Sequence, residues 1–272
     1  MPKLLQNSVL VCLMILILSA CSDNPTPTVT FTKPATNTPP IQTSTPISTP
    51  NLTPSSSENE AINLLKATLQ NQEKQAYRFN VTQKAIINPG MIVTAEGEGS
   101  FVNSNLKLNL ELTVGSQRQQ IETLVTSGES WQRLAALAVW KKLEDGFKNA
   151  SSLPVSLLTK AQEIKIEGKE QINGKELTRL SFSLPVNLAF SEKGGFGEDA
   201  LGILSATGAD KSLVGFTGNA KMIVWIDTTS STMKQRQINI KSEDLDYEAV
   251  YGYRDIGETG INAAPPTNFP HP

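Results

Sequence analysis

Histidine is almost absent from this chain: among 272 residues there is one, His271, beside the C-terminal proline. Ser-His-Asp and Cys-His arrangements are therefore not supported. Cysteine is nearly as scarce, with Cys12 and Cys21 alone, so no Cys/His cluster for zinc can be assembled. Charge of one sign is missing too. Lys and Arg number 24 against 26 Asp and Glu, for a formal charge of −2, and no basic run stands out as a nucleic-acid footprint. The glycine-rich stretch GGFGEDALGILSATGADKS contains no GxxxxGK[ST], which excludes the usual phosphate-cradling loop. Gly128-Glu129-Ser130-Trp131-Gln132 lacks the second glycine of a nucleophile elbow. Asp244 and Asp246 read as solvated turn acids rather than calcium ligands, and no two carboxylates single themselves out as a glycosidase pair. No enzyme, metal or cofactor is expected.

Long apolar runs are missing as well, with one exception at the N-terminus. Lys3 is followed by a short polar stretch and by VLVCLMILIL, residues 9–18, too short for a stable bilayer span and followed by small residues. This is the layout of a secretory signal peptide. Leu18-Ser19-Ala20-Cys21 resembles the lipobox of bacterial lipoproteins. That resemblance implies removal of residues 1–20, diacylglyceryl attachment to the Cys21 thiol, and an extracytoplasmic protein anchored to the outer leaflet of the cell membrane. The alternative is an ordinary signal with an accidental cysteine. The count favours lipidation: Cys12 leaves with the signal, and Cys21 then has no disulfide partner. Two acyl chains give on the order of 20 kcal/mol of membrane attachment, at about 0.8 kcal/mol per CH₂.

Residues 22–57 are half Pro and Thr, with only Asp23 and Lys33 charged. Such a segment buries too little apolar surface to offset its ordering entropy and is expected to be a disordered tether. In polyproline II it would reach roughly 110 Å at about 3.1 Å per residue. A second Pro-rich segment, 265–272, is expected to be a disordered tail. Between them lies one domain, 58–264.

Within the domain, Ser57 and Glu60 form a capping-box pattern, and Ile62, Leu65 and Leu69 recur at helical spacing, predicting a helix over 58–75. The period then falls to two, predicting strands near 77–87, 91–102, 105–114, 118–126, 164–172, 175–184, 219–227, 233–242 and 245–254. Asn173-Gly174 marks a hairpin turn. Gly97 and Gly99 suggest a bend or bulge. Residues 129–145 read either as a helix or as two short strands around Trp131 and Trp140. Short helices are expected near 152–162 and 198–206. The sum is α+β: a long antiparallel sheet with a few helices to one side.

Apolar combs are the strongest signal that remains. Leu106, Leu108, Leu110, Leu112 and Val114 share one face of a strand, as do Leu180, Phe182 and Leu184. Met222, Val224 and Ile226 oppose Ile223 and Trp225, so that strand is apolar on both faces. Each comb alone reads as core. Nine long strands beneath one sizeable helix would leave a hollow.

Five segments carry a resemblance: the opening helix ending in AYRF, SWQRLAALAVWKKL, IKIEGKEQINGKELTRLSF, MIVWIDTTSSTMKQRQINI and the closing YRDIGETGINAAPP. With the lipobox and tether, this order resembles the LolA/LolB-like lipoprotein-carrier superfamily, and within it the LppX/LprG-type lipoproteins, over roughly residues 58–262. The resemblance implies an incomplete β-barrel whose concave face, covered by helices, holds acyl chains. It implies no catalysis, no cofactor and no metal. Leu106, Leu108, Leu110, Leu112, Val114, Leu180, Phe182 and Leu184 then become candidates for the cavity wall. The expected partners are a lipid or lipidated molecule in the cavity, the membrane through Cys21, no nucleic acid, and an envelope protein of unknown identity. A monomer is expected. An anchored protein suits local lipid handling better than long-range shuttling. The competing expectation is an interaction or sensor lipoprotein with a filled core, for which Tyr247, Tyr251 and Tyr253 would form an exposed patch.

Overall fold

The computed structural model describes residues 56–87, 90–126, 128–135, 137, 139–143, 158–191, 218–243, 245–266 and 269. Helix α1 (Ser56–Gln72) precedes six strands: β1 (Tyr77–Ile87), β2 (Met91–Val102), β3 (Asn105–Val114), β4 (Gln117–Thr126), β5 (Glu129–Leu134) and β6 (Lys141–Leu143). Then come β7 (Gln162–Ile172), β8 (Lys175–Pro185), a short helix α2 (Val186–Ser191), β9 (Asn219–Asp227), β10 (Thr232–Lys241) and β11 (Leu245–Arg254). All eleven strands belong to one sheet in the order β6-β5-β4-β3-β2-β1-β11-β10-β9-β8-β7, and every pairing is antiparallel. The sheet is two meanders joined at one seam, where β1 pairs with β11. β6 and β7 do not pair, so the sheet stays open.

β1 alternates buried and largely exposed positions along its whole length, whereas β9 is buried on both faces and β7 is exposed along most of its length. Asn173 and Gly174 both adopt positive φ, 50° and 77°, as the tight turn between β7 and β8 requires. The region 129–145 resolves as two short strands, β5 and β6, not a helix. Cross-strand partners decide this: Leu124 of β4 sits opposite Trp131, and Trp131 opposite Lys142. The helix expected near 198–206, and the first six residues of that near 152–162, lie outside the described residues; of the rest only Leu158 is helical, and Gln162 already opens β7.

Gly97 and Gly99 correct the bulge expectation. The register of β2 runs unbroken against both β1 and β3. A Cβ on Gly97 would lie 1.9 Å from the Asn109 carbonyl oxygen, and one on Gly99 would lie 2.4 Å from the Phe79 ring. Close approach of neighbours, not an extra residue, requires glycine here. Irregular register occurs instead in β10, between Met233 and Gln235, and in the edge pair β7–β8. Bulges and a row of Lys and Glu on β7 suit an edge strand that must not recruit another sheet.

α1 contacts β7 and β10. Ala61, Leu65 and Leu69 are buried beneath it. Its C-terminal end is pinned to the β9–β10 turn: the Asn71 amide donates to the Ser230 and Ser231 carbonyls at 3.1 and 3.0 Å, and Gln72 Oε1 accepts from the Met233 amide at 3.2 Å.

Candidate functional site: the apolar face of the sheet

Directly opposed residues of neighbouring strands lie on one side of a sheet, so the registers can be followed from strand to strand. One row runs Leu110, Gly97, Val81, Tyr251, Arg236, Val224, Leu180. The next runs Leu112, Ala95, Gln83, Ala249, Ile238, Met222, Phe182, and a third Val114, Val93, Ala85, Tyr247, Ile240, Ala220, Leu184. The two combs read from the sequence are therefore the two ends of the same rows, six strands apart. All eight candidates meet in one apolar cluster. Leu106, Leu108, Leu112, Leu180, Phe182 and Leu184 are buried in it, while Leu110 and Val114 are half-buried against it.

The face is graded. Toward the start of β1, aromatic rings fill it: Tyr77 stacks on Phe101 at 5.0 Å and meets Tyr253 edge-on at 5.5 Å, with Phe79 tilted against Tyr251 and Tyr253. Beyond Tyr251 the seam carries Ala85, Ala95 and Ala249. Tyr247, Tyr251 and Tyr253 are all buried on this face, so the exposed tyrosine patch is not formed.

Besides buried hydroxyls such as Thr123 and Thr178, two larger polar groups interrupt the apolar surface, and neither was singled out from the sequence. Gln83 is buried at an inward position of β1, its amide nitrogen donating to Tyr247 Oη at 3.1 Å and Tyr251 Oη at 3.0 Å. Arg236 is buried at an inward position of β10, its guanidinium 4.3 Å from the centre of the Tyr251 ring. The signal was present: in YRFNVTQKAII every inward position is apolar except Gln83.

The opposite face is organised differently. Across β2–β5 it holds a groove of about 420 Å³ whose lining includes Glu96, Glu98, Glu111, Glu122, Lys107 and Arg133. Several of these charges are paired: Arg133 Nη2 reaches Glu122 at 2.7 Å, and Arg254 reaches Glu98 at 2.7 Å. The chain after β11 crosses this face, with Ser100 Oγ donating to the Asn262 carbonyl at 2.7 Å and Pro266 bordering the groove. It reaches Phe269, which stands edge-on between Trp131 at 5.1 Å and Trp140 at 5.4 Å, over buried Leu124. Phe269 belongs to the segment read from the sequence as a tail. At the other end of the same face, Trp225 and Ile223 pack with Leu177, and Trp225 Nε1 donates to Glu170 at 2.9 Å.

Among the described residues no group of three or more His, Cys, Asp or Glu could hold a metal ion. Titratable groups with displaced pKa values stand away from the apolar face. The hydrogen bond from Ser181 Oγ, with the Arg179, Lys221 and Lys165 charges, holds Glu167 below the usual carboxylate range against the opposing effect of burial. Burial, helped by Lys175 nearby, lowers Lys234 despite Asp227.

No family model and no curated protein matches the chain. Solved structures do. Over 76% of this chain and 100% of theirs, the match to the Mycobacterium tuberculosis lipoprotein LppX has 14% identity and a TM-score of 0.48. LprF from Mycobacterium bovis matches over 76% of this chain and 97% of its own, at 12% identity and a TM-score of 0.46. A LolA superfamily protein from Nitrosomonas europaea matches over 74% and 94%, at 9% identity and a TM-score of 0.27. The similarity is one of fold. No residue role is carried over from these proteins.

Proposed function

We propose that this protein is a membrane-anchored bacterial lipoprotein that holds a lipid or other amphiphile against the apolar face of its open sheet, for presentation or transfer at the cell envelope. One observation carries the proposal: the mismatch between that face and its described cover. Eleven strands spaced about 4.8 Å apart make a sheet roughly 50 Å wide. A helix of 17 residues is about 25 Å long and about 10 Å across. With the six residues of α2 added, the described helices contact chiefly β7 to β10. Acyl chains suit such a face, since Leu, Val, Ile and Ala offer contact without directional demands. Nothing in the chemistry of the face calls for a covalent change to the cargo, so binding is the whole of the proposed activity. Cys21 supplies the anchor, and the Pro/Thr-rich segment supplies the reach, ending at residue 55 rather than 57 because Ser56 and Ser57 belong to α1.

The test is to purify the full chain from membranes in detergent and record native mass spectra, followed by organic extraction. Cleavage before Cys21 plus a diacylglyceryl increment, and a further noncovalent lipid near one per protein, are expected. A bare protein that takes up neither phospholipid nor acylglycerol would refute the holding role.

A second reading has an observation of its own. The carboxylate-lined groove on the other face could dock a cationic partner while the apolar face serves as core. Lipid uptake separates the two, because a filled core takes none.

A further inference from the structure

Gln83 occupies the seam of the sheet, with Ala95 directly opposite on β2 and Ala249 directly opposite on β11. It is 5% exposed. Its amide nitrogen serves both tyrosine hydroxyls, and its amide oxygen, shut off from solvent, has no hydrogen-bond partner. Turning the amide over does not help. The oxygen would then accept from the two hydroxyls, and the nitrogen would be left without an acceptor. One end of this amide is orphaned either way, and leaving a buried polar group unmatched costs more than an ordinary hydrogen bond contributes.

Small side chains flank the orphaned end. Alanine stands on both sides of it in its row, while Tyr247 and Tyr251 stand in the rows before and after. Tyr251 is held in place by the Arg236 guanidinium at 4.3 Å and by Tyr253 stacked at 6.5 Å. Gln83 lies between the two combs, with Leu112 two strands away on one side and Phe182 four strands away on the other.

We infer that Gln83, oriented by Tyr247 and Tyr251, is a polar anchor that selects an amphiphile carrying a free, uncharged hydroxyl between two acyl chains, a lipid of the diacylglycerol type. This rests on the proposed function. A carbonyl oxygen accepts from a hydroxyl and repels an anion, which argues against a phosphate or carboxylate head at this point. Two chains leaving the anchor in opposite directions would lie along the rows toward the two combs. An ester-only lipid would leave the oxygen unmatched.

The test offers radiolabelled dioleoylglycerol, trioleoylglycerol and dioleoyl phosphatidic acid, one at a time, to the full chain in detergent, and to its Gln83→Met and Tyr251→Phe variants. The wild type is expected to retain dioleoylglycerol about tenfold better than either of the others, a ratio within reach of one hydrogen bond to a buried group. In Gln83→Met that preference should fall to within about twofold while trioleoylglycerol retention holds. If Gln83→Met fails to fold, Tyr251→Phe, which keeps the ring and frees the amide from one partner, decides by the same ratio. Equal retention of all three lipids by the wild type overturns the selectivity and leaves the holding role standing, as does a preference for phosphatidic acid. Retention of none removes the holding role and this inference together.

Discussion

The two faces of β1–β4 come from the same strands, one residue out of phase, and behave in opposite ways. Inward, Leu106, Leu108, Leu112, Val93 and Ala85 belong to a continuous apolar surface that crosses the seam to β8. Outward, Glu96, Glu98, Lys107, Glu111 and Glu122 border a groove that the C-terminal segment crosses on its way to the Trp131–Trp140 pair. Alternation alone produces this division. Its consequence is energetic: inward positions are held by burial, outward ones by ion pairs that water largely screens.

Substitutions should expose that difference, beginning with the most severe. Gly97→Ala places a methyl 1.9 Å from the Asn109 carbonyl oxygen, backbone that cannot turn aside. A loss of at least about 3 kcal/mol is expected by urea denaturation, the upper end for overpacking. Leu180→Ala, at a fully buried inward position, should cost about 2–5 kcal/mol in the same assay. Phe269→Ala should cost about 1–3 kcal/mol, less than a central aromatic because only one segment lets go, with the tryptophan emission shifting to the red as Trp131 and Trp140 open to solvent. Arg133→Ala removes the part-exposed pair with Glu122 and should cost no more than about 1 kcal/mol, shrinking as salt is added.

The pH response tests the outer face at the other end of the sheet. Glu167 has a lowered pKa in the folded protein, chiefly through Ser181 Oγ, then through Arg179, Lys221 and Lys165. A carboxylate depressed in this way contributes stability above its unfolded pKa, and that contribution is lost as pH falls through the folded value. Ser181→Ala should therefore weaken the protein at neutral pH while narrowing its loss on acidification, read as a smaller change in the urea midpoint between neutral and acid pH. An unchanged acid response would show that the hydrogen bond does not set this carboxylate.

Most strand boundaries were legible in the sequence because alternation is a local property. β1, β2, β3, β9 and β11 fall on the expected residues, and the remaining long strands differ by a residue or two at an end. What was not legible is long-range. Nothing in the sequence pairs β1 with β11, yet that seam puts Leu110 and Leu180 in one row. The 129–145 stretch carries helix formers, and only its pairing with β4 makes it strand. α1 ends at Gln72, short of the expected Gln75, because Asn71 and Gln72 turn to hold the β9–β10 loop. Of the bend or bulge expected at Gly97 and Gly99, the bulge is absent, since close approach and bulging leave the same letter. The tyrosines of β11 were candidates for an exposed patch in the competing expectation, and the register turns them inward to pack against neighbouring strands instead. Gln83 was overlooked because a lone polar residue in an apolar comb is easily passed over, although its position is what marks it.

The central claim, that the inward face takes up acyl chains, is tested most directly by lipid uptake in the Leu108→Trp/Leu110→Trp double variant, measured beside Glu96→Gln/Glu98→Gln on the outward face. Phospholipid or diacylglycerol bound per protein should fall severalfold in the first while its fold is retained, and stay at the wild-type level in the second. The account is contradicted if the tryptophans unfold the protein, as overpacking of a dense core would, or if uptake follows the outward glutamates instead.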